Sequence, residues 1–256
     1  MNFIKMHGCG NDYIYFDCMA GEAIDPHKLD LFRLCDRHKG IGGDGIVLIL
    51  PSMRAHGRMK MFNADGSEGM MCGNAIRCVA KFLHMEGYAP SKMRIETASG
   101  IKHVELLDGG FAARVDMGRA EISPEITLNG YSARPVDMGN PHIVIFLDEI
   151  ENLDLEEIGP TFERHELFPG GVNTEFVQVL NRNHLKMRVW ERGSGETLAC
   201  GTGACAAAAA AVLKGYCDPE ADITVDLRGG SLIINYSENT VFMTGEAVKV
   251  YEGVIS

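Results

Sequence analysis

Two kinds of apolar pattern alternate along the chain. Short β-branched and aromatic runs bounded by Gly, Asn, Pro and Asp, such as 14–16 and 143–146, are typical of buried strands. Two longer segments, 75–86 and 204–214, lack Gly and Pro, are rich in helix formers, and are each followed by a glycine suited to close a helix. Strand patterns outnumber helical ones. The sequence therefore predicts an α+β protein built mainly of strands.

The two halves of the chain repeat each other at a nearly constant spacing. Cys72-Gly73 and Cys200-Gly201 are 128 residues apart, half of the 256-residue length, and each follows a similar strand. We therefore expect two pseudo-symmetric domains of duplicated topology. Each would be a mixed sheet or barrel wrapped around a central helix, with the active site in the cleft between them. The expected domains are 1–117 and 118–245, with a linker near 117–119 and the tail 246–256 completing the first.

Composition and charge exclude several classes of partner. The net charge of −11 argues against nucleic acid, because phosphate binding needs clustered Lys and Arg. No apolar run approaches the roughly 18 residues of a membrane helix. The first twenty residues lack the basic start and the continuous apolar stretch of a secretory signal. We expect a cytoplasmic protein with a small-molecule substrate and no membrane partner.

Eight cysteines are present, but none is arranged as C-x-x-C, and their spacings do not match zinc sites. We therefore predict reduced thiols and no metal. Cys72 and Cys200 would each begin a helix, where unpaired N–H groups and a partial positive charge attract anions and lower the pKa of a thiol. The other six are interpreted as small buried apolar residues.

A pair of equivalent thiols suits one kind of chemistry. If the helix starts converge, their N–H groups can hold a carboxylate, with one sulfur on each face of the bound carbon. A thiolate would then remove an acidic proton from one face, and a thiol would deliver a proton to the other. Because one sulfur must be charged and the other neutral, we expect a bell-shaped pH profile.

Long motifs resemble those of the diaminopimelate epimerase family. The resemblance lies in the segments 63–68, 71–78, 191–197 and 199–203, with further similarity at 5–12, 139–142 and 171–173. It implies a cofactor-independent isomerase, with no pyridoxal phosphate, that interconverts LL- and meso-2,6-diaminopimelate in lysine and peptidoglycan precursor synthesis. A homodimer is a further expectation.

The resemblance also implies roles for residues at matching positions. Cys72 and Cys200 would be base and acid, and the backbone of Gly73, Asn74, Gly201 and Thr202 would hold the reacting carboxylate. His142 and Glu191 would support the sulfurs. The distal end of the substrate would be read by six residues: Asn11, Asn63, Asn140, Asn173, Glu191 and Arg192. At Gly45 some members of the family carry glutamine, so a local substrate contact would be lost here.

Other functions fit the sequence less well. A proline or hydroxyproline racemase of the same architecture would have no use for Glu191, Arg192 and the asparagines. An isomerase similar to PhzF would use a carboxylate in place of the cysteines. A thiol redox or metal-binding protein would need the C-x-x-C or clustered ligands that are missing. For His142 a structural role is the alternative. For each asparagine taken alone the alternative is a residue that makes a turn, and for Glu191 with Arg192 it is a surface ion pair.

Overall fold

A computed structural model describes residues 1–21, 24–238 and 240–255 of the chain. The described residues form two compact units. The first consists of Met1–Val115 together with Gly245–Ser256, and the second of Asp116–Thr244. Each unit is a mixed sheet with one long helix packed against it.

The elements of the described residues follow in chain order. From the N-terminus they are β1 (Asn2–Gly8), β2 (Asn11–Asp17), α1 (Leu31–Cys35), β3 (Gly45–Leu50), β4 (Gly57–Asn63), β5 (Glu68–Gly69), α2 (Gly73–Met85), β6 (Lys92–Thr97), β7 (Gly100–Leu107) and β8 (Ala112–Arg119). They continue with β9 (Glu121–Ile122), β10 (Ile126–Leu128), β11 (Tyr131–Asp137), β12 (Pro141–Phe146), α3 (Leu155–Glu163), β13 (Asn173–Asn181), β14 (His184–Glu191), β15 (Gly195–Glu196), α4 (Gly201–Leu213), β16 (Asp222–Leu227), β17 (Gly230–Ser237), β18 (Thr240–Glu246) and β19 (Val248–Val254).

Strand pairing is the same in the two units. In the first, β2 is parallel to β3 and β4 is parallel to β6, while β1–β2, β3–β4 and β6–β7 are antiparallel. In the second, β12 is parallel to β13 and β14 is parallel to β16, while β11–β12, β13–β14 and β16–β17 are antiparallel. The registers Tyr13↔Gly45 and His142↔Asn173 occupy the same place in each sheet. The duplicated topology predicted from sequence is therefore confirmed.

The central helices are enclosed by their own sheets. Helix α2 contacts β1, β2, β4, β6 and β7, and α4 contacts β11, β12, β13, β14, β16 and β17. All six alanines from Ala206 to Ala211 are fully buried. Side chains of this size let strands approach the helix from several sides, because a methyl group adds little to the radius of the helix.

The chain passes between the units without a loop. Residues 117–119, predicted to be a linker, are instead the end of β8. The units divide between Val115 and Asp116, inside this strand and two residues before the predicted boundary. The chain ends in β19, which runs antiparallel to β1 from Asn2↔Val254 to His7↔Val248.

Within the described residues, no helix is long and apolar enough to cross a membrane.

Candidate active site

The two cysteines cap the central helices. Cys72 precedes α2 with φ −129° and ψ 123°, and Cys200 precedes α4 with φ −116° and ψ 109°. Both backbones are extended, as at an N-cap. Each sulfur accepts from a backbone N–H three residues later, at 3.5 Å from Ala75 and at 3.4 Å from Gly203. The predicted helix starts are therefore confirmed, and each sulfur lies at the positive end of a helix dipole.

Amide side chains surround the Cys72 sulfur. Its thiol donates to Asn11 Oδ1 at 3.2 Å, and Asn74 Nδ2 donates to the same oxygen at 3.3 Å. The other end of the Asn11 amide donates from Nδ2 to Asp44 Oδ2 at 2.6 Å. Asn11 is thus held by hydrogen bonds at both ends, and its carbonyl faces the sulfur.

An ionic network fixes the turn that carries Asn11. Arg37 donates to both oxygens of Asp12, at 3.0 and 2.7 Å, and to Asp44 at 2.9 Å. Lys5 Nζ lies 2.6 Å from Asp12 and also donates to the carbonyl of Gly42. Burial would raise the pKa of Asp12, but the hydrogen bonds from Arg37 and Lys5 outweigh it and lower that pKa. Asp12 is therefore negatively charged and holds the turn next to Cys72. We call the residues around each of the two cysteines a half-site.

A fully buried arginine lies one turn into α2. Arg77 donates to the carbonyl of Gly73 at 3.1 Å, to Asn74 Oδ1 at 3.0 Å and to the carbonyl of Glu246 at 3.0 Å. It therefore joins the first turn of α2 to the returning tail. No role was predicted for Arg77 from sequence, although a charged residue within the apolar run 75–80 was the available signal.

Carboxylates surround the Cys200 sulfur in the second unit. Cys200 is 6% exposed, and its sulfur lies 3.5 Å from the hydroxyl of Thr202. Glu191, the last residue of β14, accepts from the hydroxyl of Thr197. Burial raises the pKa of Glu191, even though hydrogen bonds from Thr197 and from the Cys200 thiol act to lower it.

A buried histidine and carboxylate complete this half-site. His142 Nδ1 lies 2.7 Å from Glu175 Oε1, and both side chains are 0% exposed. His142 Nε2 and Glu175 Oε2 have no hydrogen-bond partner among the described residues. One ligating atom from each of His142, Glu175 and Cys200 lies within 4.8 Å of the others.

His142, Glu175 and Cys200 are residues of the types that could bind a metal ion, since zinc accepts Cys, His and carboxylate ligands. The 2.7 Å separation of His142 Nδ1 and Glu175 Oε1 is, however, that of a hydrogen bond. Two ligands on one tetrahedral ion, each about 2 Å from it, stand farther apart. The arrangement therefore serves as a hydrogen-bonded pair beside a thiol.

The helix start lowers the pKa of the Cys200 thiol as predicted, but the net shift of that pKa is in the opposite direction. Burial, followed by the charges of Glu191 and Glu175, raises the pKa of Cys200 well above its usual value. Hydrogen bonds from Thr202 and from the Gly203 N–H oppose this increase but are weaker. The two carboxylates come from β13 and β14, so sequence spacing alone did not place them beside the sulfur.

The remaining predicted residues of the second unit fall into two groups. Asn140 Nδ2 lies 3.5 Å from the Thr202 hydroxyl, as Asn11 lies beside Asn74 in the first unit. The amide of Asn173 is used within the protein, since Oδ1 accepts from the Arg192 N–H at 2.9 Å and Nδ2 lies 3.4 Å from the Pro141 carbonyl. Arg192 Nη1 donates to the Gly170 carbonyl at 3.1 Å, which leaves its remaining guanidinium N–H groups for other contacts.

Asn63 and Gly45 are opposite each other on neighbouring strands. Asn63 is exposed and donates to the Ser67 hydroxyl at 2.9 Å. A Cβ atom at position 45 would lie 2.1 Å from the carbonyl oxygen of Phe62. Gly45 is therefore required by close approach of the backbone here, and a side chain at this position would need the strand to shift.

The main residue missed by sequence analysis is Glu175. No role was predicted for Glu175 or for Thr174 before it, although the adjoining segment 171–173 was compared with the family. In the structure both are fully buried in β13. The available signal was a carboxylate inside an apolar strand, because charged side chains are rarely buried without a partner.

Similarity to known proteins covers nearly the whole chain. The family model for diaminopimelate epimerase matches residues 3–123 and 135–250. The diaminopimelate epimerase of Acetivibrio thermocellus is 49% identical over 278 residues, covering 100% of this chain and 98% of that protein. The one from Methanococcus maripaludis strain C5 is also 49% identical over 278 residues, covering 100% and 99%.

Solved structures with low sequence identity share the fold. A phenazine biosynthesis protein of the PhzF family from Bacillus anthracis has a TM-score of 0.75 at 15% identity, covering 100% of this chain and 99% of that one. A hydroxyproline epimerase from Agrobacterium vitis has a TM-score of 0.71 at 16% identity, covering 99% and 91%. At these identities the likeness concerns the fold alone.

Proposed function

Because the chain belongs to the diaminopimelate epimerase family, we propose that it interconverts LL- and meso-2,6-diaminopimelate without a cofactor. The observation that carries the proposal is the repeated helix start. Cys72 and Cys200 cap α2 and α4 in the same way, each with its sulfur on the N–H of the third residue after it. Inversion at a carbon next to a carboxylate can proceed by removing a proton from one face and delivering one to the other, and the chain supplies two equivalent thiols for this.

In the proposed reaction, one sulfur removes the α-proton as a thiolate while the other returns a proton as a thiol. The backbone N–H groups of Gly73, Asn74, Gly201 and Thr202 bind the reacting carboxylate, where helix dipoles favour negative charge. The same donors stabilise the charge that develops when the proton leaves. After one turnover the two sulfurs have exchanged protonation states, so the reaction runs in both directions.

The distal amino-acid end of the substrate requires donors and acceptors of its own. We assign this role to Asn11, Asn63, Asn140 and Arg192, whose amide and guanidinium groups can supply them. Asn173 contributes by holding Arg192 through its backbone N–H, at 2.9 Å. Glu191 is assigned to the support of Cys200, because their side chains interact and each affects the titration of the other.

His142 is assigned to the Cys200 half-site for the same reason. Its ring and the sulfur both lie within 4.8 Å of the Glu175 carboxylate. The proposal also places the enzyme in lysine and peptidoglycan precursor synthesis in the cytoplasm, and it includes a homodimer.

The direct test is epimerisation of LL-diaminopimelate by the purified reduced protein without added cofactor. We expect meso-diaminopimelate to form, as resolved by chiral chromatography, and Cys72→Ala and Cys200→Ala each to reduce the rate by at least about 10³-fold. Cys18→Ala, a buried cysteine distant in sequence from both helix starts, is the matched control and should retain activity. Equal activity in all three variants would contradict the proposal, and turnover of proline in place of diaminopimelate would indicate the racemase alternative.

A further inference from the structure

Glu175 is a buried carboxylate to which the proposed reaction assigns no role. It lies in β13, is 0% exposed, and makes one short contact, from Oε1 to His142 Nδ1 at 2.7 Å. Its second oxygen and the second ring nitrogen of His142 are buried without hydrogen-bond partners among the described residues. Burying a carboxylate is unfavourable unless it is paired, so such a residue is retained for a reason other than packing.

The first unit shows what packing alone requires at this position. The residue equivalent to Glu175, 128 positions earlier, is Val47, which is fully buried in β3. The register confirms the equivalence, since Val47 pairs with Met61 and Glu175 pairs with Val189. The same sheet position therefore accepts an apolar side chain, and the fold does not need a carboxylate there.

A second difference between the units makes room for Glu175. A Cβ atom on Gly203 would lie 2.6 Å from Glu175 Oε1, whereas the equivalent residue of α2 is Ala75. The carboxylate thus occupies the space that the alanine side chain would take. Two positions differ together, Val47 and Ala75 in one unit against Glu175 and Gly203 in the other, so the substitution is accommodated as a pair.

The contact has a direct chemical consequence for His142. With Glu175 ionised, its oxygens only accept hydrogen bonds, and Nδ1 is then the donor in the pair. His142 can then exchange a proton with other groups only at Nε2. The titratable groups that lie near the Cys200 sulfur come from three strands: His142 from β12, Glu175 from β13 and Glu191 from β14. Burial and these two negative charges both favour the neutral thiol.

We propose that Glu175 is a positioning residue of the second half-site, which fixes His142 through Nδ1 and holds the proton on the Cys200 sulfur until substrate binds. This inference rests on the function proposed above. It separates two roles of the carboxylate, because the hydrogen bond orients the ring while the charge acts on the sulfur. Glu175→Gln keeps the shape and an acceptor oxygen but removes the charge, and Glu175→Val copies the first unit and removes both.

The test is titration of the Cys200 thiol by its ultraviolet thiolate absorbance, in protein without substrate and in the presence of a chelator. The difference between Cys72→Ala and Cys72→Ala/Cys200→Ala isolates the signal of this sulfur. We expect Glu175→Gln to move the midpoint of the Cys200 titration down by about one pH unit or more, the size of effect that a nearby like charge produces. Nitrogen NMR of His142 should show the Nδ1-protonated state retained in Glu175→Gln and lost in Glu175→Val.

The matched control is Asp226→Asn, which likewise keeps an acceptor oxygen but removes the charge from a second short histidine pair of the same unit, His184 Nε2 to Asp226 at 2.6 Å. It should leave the Cys200 midpoint unchanged. A midpoint that does not move in Glu175→Gln, or moves equally in Asp226→Asn, would overturn the inference. Because this measurement needs no substrate, its failure is distinct from a failure to epimerise diaminopimelate, which would overturn the proposed function instead.

Discussion

The two halves of this chain have nearly the same backbone around their cysteines but different charges. Cys72 donates to the amide oxygen of Asn11, which also accepts from Asn74, whereas Cys200 lies near the carboxylates of Glu191 and Glu175. The duplicated fold thus supplies the symmetry that a reversible proton transfer requires. The residues added to each copy remove that symmetry, and they make the environment of one sulfur amide-rich and that of the other acidic.

The buried cations differ as well. Arg77 is fully buried in α2, and its equivalent in α4 is Cys205, also fully buried. The first unit therefore uses a guanidinium to join its helix start to the tail, and the second fills the same position with a small apolar residue. Substitutions at matched positions can show how much each difference contributes.

The largest effect on stability is expected from Arg77→Met. The change leaves the carbonyls of Gly73 and Glu246 and the side chain of Asn74 without their buried donor, at a cost of about 3 kcal/mol. Urea unfolding followed by circular dichroism measures it. The counterpart change, Cys205→Ala, should cost about 1 kcal/mol, because it removes one buried sulfur atom and leaves no buried charge-assisted network without its donor. Equal losses would mean that the arginine acts only by filling space.

The next effect concerns activity. Glu191→Gln should lower kcat about 100-fold, because it removes the charged partner of the Cys200 thiol while preserving shape. The equivalent residue of the first unit is Asn63, and Asn63→Ala should act mainly on KM if it contacts the distal end of the substrate. Steady-state kinetics in both directions distinguishes the two, and a change confined to KM in both variants would contradict the role of Glu191.

A smaller effect on stability is expected from exchanging Gly203 and its equivalent Ala75, which differ by one methyl group at the start of the central helix. Gly203→Ala would place a methyl group 2.6 Å from Glu175 Oε1 and should destabilise the protein by about 2 kcal/mol. The reverse change in the first unit, Ala75→Gly, should cost about 1 kcal/mol through helix propensity alone. Thermal unfolding of both variants would test this order, and a neutral Gly203→Ala would show that Glu175 is free to move.

The smallest effect is on alkaline stability. The pKa of Cys200 is raised in the folded protein, above a usual value of 9.0, so the unfolded chain loses this proton first as pH rises. Folding stability should therefore decrease above about pH 9, by at most about 1.4 kcal/mol per pH unit for this one thiol. Cys200→Ala should flatten that decrease.

Cys78 provides the comparison from the first unit. Burial, the largest cause, raises its pKa to about 11, so its contribution to the alkaline decrease should end near that pH. The Cys200 contribution should continue to higher pH. Unfolding free energies measured across the alkaline range in Cys78→Ala and Cys200→Ala would separate them. A flatter slope in neither variant would contradict the raised values.

Much of the fold could be predicted from sequence, because its signals are local. Breaker-free segments after Cys72 and Cys200, each closed by a glycine, predicted both central helices, and the 128-residue repeat predicted that the two units share one topology. The boundary between the units was predicted to within two residues, but the sequence did not show that it lies inside strand β8, where no loop marks it.

The pKa shifts of the site residues were harder to predict from the sequence than the fold. The helix start is a local feature and indicated a lower pKa for both thiols, but the carboxylates near Cys200 come from two separate strands. Their distance from the sulfur depends on the register of the strands and on the absence of a Cβ atom at Gly203. Neither can be inferred from the spacing of residues along the chain. Glu175 itself was visible as a charge in an apolar run, and comparison with Val47 in the repeat would have singled it out.

The central claim is that two different sulfurs exchange protons at one carbon. The most direct measurement is the early reaction of unlabelled LL-diaminopimelate in deuterated water, analysed by proton NMR and mass spectrometry before substrate and product equilibrate. If separate sulfurs act, each new meso product carries deuterium at the inverted α-carbon while the remaining substrate keeps its protium. Product that retains the original protium would show that a single group carries the proton across, and would contradict the account.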